Sequence, residues 1–503
     1  MTEKEIVKEE DATYDHVIKY TGLFGGIQGL TMLMSIIRTK IVSELLGPSG
    51  LAVINLYNKS ISFLNQATNF GISFSAVKHI AELFDTDDKK RIEEFVITVR
   101  TWSLLTALFG ILVCCTLSPI LSYWTFKDYN HILSYCLLSP IVGMLSISGG
   151  ELAILKGMKQ LKKVSLISAF GAIVVLIISA PTYYILGING IILSLILSNA
   201  AILIIHLYYS TKVVPWKTYL TSTRTILNGA PMVKLGIGFI LAGVLGQGAE
   251  LIILSSINSY SGEHYVGLYN AGYALAVTYC SIIFVAMDAD FFPRLSAAGN
   301  NIKRMNNTIN QQMDICVLLI SPFLILFALA MPFIMRVLYA KEFIDAGPMA
   351  ISASFFMFFK ALTLPVAYLP LSKGDSKMYL FTEFIYDTFI ALCIPFAFKN
   401  YGLVGAGWTI GLGGLLDMLL IHSIYRKKYN YKFSTRHIKF YIIQFVLFGT
   451  SVYISLYTNE IIKWAIGIPS LIISLYISIK ILKKETTIIT VLKTKIINFT
   501  RKK

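Results

Sequence analysis

The chain has 503 residues, of which 55% are hydrophobic and only 14% charged, and its mean hydropathy is +0.67. A soluble protein of that composition would expose far too much apolar surface, which excludes an ordinary soluble enzyme and leaves a multi-span membrane protein. The net charge of +16 then reports topology and contact with anionic lipid, and nucleic acid is not an expected partner.

Residues 1–16 open with Met1-Thr2-Glu3-Lys4-Glu5, are acidic, and lack a small-residue cleavage site, so they are read as a cytoplasmic segment and not as a signal peptide. A membrane-crossing helix needs about 20 apolar residues. Fourteen segments meet that need, at roughly 17–42, 50–82, 94–118, 130–155, 162–183, 187–210, 234–257, 264–293, 308–338, 346–371, 377–398, 402–425, 438–457 and 462–482. Lipid offers unpaired backbone groups no partner, so all are expected as helices. The first six make an N-lobe over 17–210, a cytoplasmic inter-lobe linker follows at 211–233, and six more make a C-lobe over 234–425. A last hairpin lies within 426–482 behind a basic loop, and 483–503 reads as a basic amphipathic tail on the cytoplasmic surface. Lys and Arg crowd alternate loops, as in Lys89-Lys90-Arg91 and Arg426-Lys427-Lys428, while the loops between hold only Lys127, Lys341, Lys399 and Lys463. The positive-inside rule makes the basic set, and with it both termini, cytoplasmic.

The two lobes repeat each other. Ser49-Gly50 to Leu56-Tyr57-Asn58 returns as Ser261-Gly262 to Leu268-Tyr269-Asn270, 212 positions on. Lys156-Gly157 returns as Lys373-Gly374 at 217, and Leu186-Gly187-Ile188-Asn189-Gly190 as Tyr401-Gly402-Leu403-Val404-Gly405 at 215. Such duplication is the mark of transporters that bind substrate between repeats. The chain has no Gly-Lys dipeptide and so no Walker A motif, and neither GxGxxG nor HExxH occurs. The six cysteines all fall in predicted spans without metal spacing. No enzyme, metal or cofactor is expected from these features.

Two such lobes joined by a basic loop resemble the multidrug/oligosaccharidyl-lipid/polysaccharide (MOP) exporter superfamily. The ordered set Leu45-Leu46-Gly47-Pro48-Ser49-Gly50-Leu51, Asn69-Phe70-Gly71-Ile72, Ala76-Val77-Lys78-His79-Ile80-Ala81, Leu155-Lys156-Gly157 and Phe292-Pro293-Arg294-Leu295-Ser296 is similar to the Wzx-type polysaccharide (O-antigen) flippases. The resemblance covers nearly the whole chain. It implies an all-α, MATE/MOP-like integral membrane fold of about 14 helices in two pseudo-symmetric lobes. It further implies a multi-pass protein of the bacterial inner (plasma) membrane that turns undecaprenyl-diphosphate-linked oligosaccharide from the cytoplasmic to the outer leaflet by alternating access. A cationic cavity and association with a polysaccharide polymerase and chain-length regulator belong to the same implication, whereas H+ or Na+ coupling is an expectation from the carboxylates within spans.

Charges inside spans are costly and normally face a cavity or a partner. Arg38 and Lys59 each lie about ten residues from the first hairpin, at matching depth, and with mid-span Lys360 they are the candidate cationic cavity for a diphosphate. Adding 212 to Arg38 gives Glu250, and adding 212 to Lys78 gives Asp290. These opposite charges suggest an Arg38–Glu250 contact across the cleft and a Lys78–Asp290 inner gate. Glu250, Asp288 and Asp417 are the candidate coupling-ion or cross-lobe carboxylates, ahead of Asp314, Glu383 and Asp387. Glu151, His206 and His422 are read as structural. Two readings compete with the flippase. A cation-coupled multidrug antiporter of the same fold would want an acidic, aromatic pocket, and a lipid II flippase would share the cationic first lobe.

Overall fold

The computed structural model describes the backbone at residues 3–84, 88–220, 222–299, 301–434 and 438–485, and side chains there except at 3–26, 28, 224, 235, 237–239, 282, 285–290, 293 and 483–485. The acidic segment expected at 1–16 and the amphipathic tail expected at 483–503 therefore lie outside the described side chains. Every regular element among the described residues is helical. In chain order these are α1 (Glu3–Thr68), α2 (Ile72–Phe84), α3 (Lys89–Phe126), α4 (Ile132–Gly157), α5 (Leu161–Leu186), α6 (Gly190–Thr211), α7 (Thr223–Ser261) and α8 (Glu263–Tyr273). A π-helical turn, Ala274–Tyr279, leads to α9 (Ile282–Ala297) and α10 (Ile302–Leu338). Then come α11 (Gly347–Ala353), α12 (Phe355–Ala367), α13 (Leu369–Ser372), α14 (Ser376–Tyr429), α15 (Ile438–Tyr457) and α16 (Glu460–Glu485).

Nine stretches among the described residues are long and apolar enough to cross a membrane. Two of them, Leu161–Thr211 and Ser376–Tyr429, run to 51 and 54 residues. At about 1.5 Å per residue each exceeds twice the hydrocarbon thickness of about 30 Å, so the chain has to turn back inside it. Glycine makes the turn. Gly187 ends α5 at φ 54, ψ −136, and Gly402 breaks α14 at φ 62, ψ −153. Gly47 breaks α1 in the same way at φ 62, ψ −169, next to Pro48, which suits the first turn of the returning helix. A second glycine three residues on lets the returning helix fold tightly against the first. A Cβ on Gly190 would come 2.8 Å from the Thr182 carbonyl, and one on Gly405 would come 2.7 Å from the Ala397 carbonyl.

These backbone breaks measure the repeat. Gly47 and Gly262, Lys159 and Gly374, and Gly187 and Gly402 all have positive φ, and each pair is 215 residues apart. The contacts of Gly190 and Gly405 keep the same spacing, since Thr182 and Ala397 are also 215 apart. The structural register is therefore 215, and the 212 of the Leu-Tyr-Asn echo is a local match offset by nearly one helical turn. At 215, Arg38 corresponds to Ile253 and Lys78 to Pro293, so the opposite-charge correspondence disappears.

The chain divides into two compact units, Met1–His264 and Tyr265–Lys503. The first takes in α7, one span beyond the lobe boundary expected from the repeat. Because lipid tails are as apolar as the helices, association here relies on close packing and interhelical hydrogen bonds. In the first unit Tyr57, Leu64, Cys114, Tyr135 and Ile191 form the core. Ser60 shares a 2.9 Å hydrogen bond with the Tyr135 hydroxyl, and the Asn65 amide donates to the Ser146 hydroxyl at 2.9 Å. In the second unit the buried Gln444 amide of α15 donates to the Ser474 carbonyl at 3.2 Å and the Ser478 hydroxyl at 3.1 Å, joining the final hairpin.

The hairpin glycines give a direct test. Gly402→Ala places a Cβ in a backbone region nearly reserved for glycine and lowers stability by about 1–3 kcal/mol. Gly374→Asn is close to neutral, because Lys159 already holds a positive φ at the equivalent place. Thermal unfolding of the two variants in detergent separates these outcomes.

Candidate functional site

The first unit carries a built seam along one face of α7. Gly229, Gly236, Gly243 and Glu250 recur every seven residues, two helical turns, and so share that face. The absence of side chains brings the neighbouring helices close. Gly229 sits against the Trp102 indole of α3, Gly236 against the backbone of Phe70 and Gly71, and Gly243 against the Gln66 amide of α1. Between the last two members of the row, a Cβ on Gly248 would come 3.4 Å from the Phe63 ring. Glu250 completes the row with an ion pair to Lys59 of α1. Lys59 lies twelve residues after the Gly47 turn and Glu250 twelve before Gly262, so each sits about 18 Å along its helix from a turn. The pair is thus deep in the spans, yet the side chains keep 31% and 34% exposure, enough to meet a ligand.

Arg38, nine residues before Gly47, donates through Nε to the Ser179 hydroxyl of α5 at 3.2 Å. It is half-buried and has no carboxylate partner among the described residues. Glu250, expected opposite Arg38, takes Lys59 instead. Of these two cations, Lys59 is neutralised by a carboxylate, while Arg38 is met, among the described residues, by a hydroxyl.

Lys78 lies on the exposed side of α2, 3.9 Å from Glu82 one turn away. Asp288 and Asp290 of α9 have side chains outside the described residues, so the expected gate pair shows one partner only. Lys360 of α12 belongs to the second unit, where its ammonium lies 5.8 Å over the Phe356 ring and interacts electrostatically with Glu383 and Asp417. Asp417 is 9% exposed and lines a groove of about 410 Å3 with Tyr386, Phe389 and Ser423. Buried Asp387 lies one turn from Glu383 on α14. Around Lys360, among the described residues, Glu383, Asp417 and nearby Asp387 make this part of the second unit acidic on balance.

The remaining candidates have hydrogen-bond partners within the fold. The Tyr441 hydroxyl donates to Asp314 at 2.5 Å. His206 Nδ1 lies 2.8 Å from the Ile202 carbonyl, and His422 Nε2 lies 3.1 Å from that of Leu362. In the loop before α14, Asp375 accepts from Lys428 at 2.6 Å and from the Tyr429 hydroxyl at 2.8 Å, and these partners hold its carboxyl below the usual range. The stabilisation from that contact is present above the ordinary carboxylate pKa and is lost as pH falls through the lowered one.

One constellation escaped the sequence reading. Arg100 of α3 and Glu151 of α4 are both 1% exposed and bidentate, at 2.9 and 3.1 Å. The same guanidinium donates to the carbonyls of Pro215 at 2.6 Å and Val214 at 3.0 Å, with the Trp216 ring 4.9 Å away. Next door, Thr101 accepts from the Tyr219 amide at 3.2 Å, and the Trp102 indole donates to the Ile226 carbonyl at 3.1 Å. Three consecutive residues of α3 thereby fasten the expected inter-lobe linker to the first unit. Glu151 was read as structural on its position alone; Arg100 gave no separate signal.

Residues 41–348 match the profile of a family described as polysaccharide biosynthesis protein, more than half of the chain. The chain belongs to that family. Comparison with curated proteins finds no matching sequence. Among solved structures, this polysaccharide biosynthesis protein is similar to the lipid II flippase MurJ in an inward closed conformation, with a TM-score of 0.71 at 13% identity, covering 92% of this chain and 99% of that one. It is also similar to an inward-facing multidrug resistance MATE family transporter of the MOP superfamily, with a TM-score of 0.67 at 15% identity over 80% and 94% of the two chains. A MOP superfamily transporter from Pyrococcus furiosus with a binding pocket of reversed polarity matches with a TM-score of 0.57 at 16% identity over 82% and 94%. At these identities the likeness establishes the fold, which is that of the MOP superfamily, as the motifs implied. The chain is a multi-pass membrane protein with a fold shared by transporters.

Removing one partner of the buried Arg100–Glu151 pair strands a charge and costs about 3–5 kcal/mol, whereas replacing both by apolar residues costs far less. Arg100→Met is expected to lower the unfolding temperature sharply, and Arg100→Met with Glu151→Leu to recover most of the loss. Equal losses in the single and double variants would show that the linker carbonyls, not Glu151, are the partners that matter.

Proposed function

We propose that this chain moves an undecaprenyl-diphosphate-linked oligosaccharide, a repeat unit of O-antigen, capsule or exopolysaccharide, from the cytoplasmic to the outer leaflet of the bacterial inner membrane. The observation that carries the reading is the pair of deep, half-buried cations Arg38 and Lys59 in the first unit. A diphosphate presents several charged acceptor oxygens, and charge-assisted hydrogen bonds from a guanidinium and an ammonium suit it. Membership of a polysaccharide biosynthesis family supports a glycan cargo, and the fold shared with a lipid II flippase supports a lipid-linked one. Fourteen spans with both termini cytoplasmic, alternating access as the cycle, and a polymerase and chain-length regulator as neighbours complete the proposal. On this reading the cycle is coupled to H+ or Na+, with Glu250, Asp288 and Asp417 as the candidate carboxylates, and burial of Asp417 beside a groove supports it among them.

A second reading is a cation-coupled multidrug antiporter, favoured by one observation, the groove where Asp417 meets Tyr386 and Phe389. A lipid II flippase would share the first-unit cations and would differ in being essential for growth.

Deleting the chain from its host and sizing the undecaprenyl-linked glycans by mass spectrometry tests the proposal. Accumulation of one complete repeat unit is expected, with surface polysaccharide lost. The wild-type chain restores it and an Arg38→Ala/Lys59→Ala variant does not. A normal lipid-glycan profile with new sensitivity to cationic drugs would instead place the activity at Asp417.

A further inference from the structure

The acid that meets Lys59 is the last member of the seven-residue row with which α7 packs on α1, α2 and α3. Below it the row is glycine, which contributes close approach and no charge. The ion pair is therefore the charged contact in the middle of the seam. Hydrogen bonds tie α7 on either side of it, from Trp102 to the Ile226 carbonyl at 3.1 Å and from the Asn258 amide to the Thr125 carbonyl at 2.8 Å.

We infer that Glu250 is an internal occupant of the phosphate site, holding Lys59 until a diphosphate displaces it, and that this displacement releases α7 from the seam. The inference rests on the reading that Lys59 binds the diphosphate of the cargo. Three steps carry it. A diphosphate has more negative charge and more acceptor oxygens than one carboxylate, so it is the stronger partner for the Lys59 ammonium. It therefore wins Lys59. Glu250 is then a one-third-exposed carboxylate that has lost its cation. The glycines of the row offer no donor side chain to replace Lys59, so the charged contact between α7 and α1 is lost. Loading of the anion and opening of the seam become one event, and an empty carrier stays shut because its own carboxylate plays the cargo's part.

The test uses the full-length chain in nanodiscs, its six native cysteines replaced, with spin labels at Thr116→Cys on α3, exposed, and Ser256→Cys on α7, partly exposed. Pulsed electron resonance reads the label distance, and calorimetry reads binding of inorganic pyrophosphate and of farnesyl diphosphate. Both ligands are expected to shift the wild type from a short to a longer distance. Glu250→Gln, nearly isosteric, is expected to show the longer distance without ligand and to bind pyrophosphate about tenfold more tightly, its competitor gone. Lys59→Ala should lose the ligand response, and Lys59→Glu with Glu250→Lys should recover the short distance, which shows that the site still folds. Pyrophosphate binding with the same affinity and distance in wild type and Glu250→Gln would overturn the inference while leaving the diphosphate site intact. Failure of either ligand to bind wild type or Glu250→Gln would remove the diphosphate reading and the inference together.

Discussion

The close approach of α7 to α1, α2 and α3 is the contact on which the rest of the first unit depends. Lipid supplies little force to hold apolar helices together, so approach distance decides which side chains meet. Gly229, Gly236 and Gly243 remove the atoms that would keep α7 away, and the Glu250 carboxylate is thereby carried to Lys59. With bulkier residues in the row, both groups would sit in hydrocarbon without partners, at a cost few membrane helices sustain.

The helical segments and the duplication were legible because they rest on composition and on turn residues, which obey local rules. An apolar run of 20 residues admits one backbone solution in lipid, and a glycine needed at positive φ leaves a mark in both lobes. The register was harder. Leu-Tyr-Asn repeats at 212 as words, but helix tolerates slippage of identical letters, whereas the turns at Gly47, Gly187 and Gly402 and their partners hold 215. Three residues of slip turned Glu250 from the neighbour of Lys59 into an apparent counterpart of Arg38. The pairing was nevertheless readable in another way, since the seven-residue row leading to Glu250 stands in the sequence. Arg100 was hidden for a physical reason: its partners are backbone carbonyls of Val214 and Pro215, and carbonyls leave no trace in side-chain identity.

The two units, taken each by itself, hold opposite electrostatic interiors. The first has Arg38 and Lys59 against Glu250. The second has Lys360 against Glu383 and Asp417, with Asp387 close by on the same helix as Glu383. Gene duplication supplied one backbone plan twice, and the charges diverged on it. That division is compatible with the anionic cargo and coupling cation proposed above.

The fastening of the linker to Arg100, Thr101 and Trp102 turns α7 into a lever with a fixed fulcrum. From Ile226, where the Trp102 indole grips the backbone, to Glu250 is 24 residues, an arm of about 36 Å. Once the Asn258–Thr125 hydrogen bond beyond it is released, a tilt of only 10 degrees about that fulcrum sweeps the carboxylate through about 6 Å, more than an ion pair survives. A helix with a slack linker would have to travel bodily to achieve the same. Leverage allows a small rotation near the water-facing end to be felt as a large displacement where the charges meet.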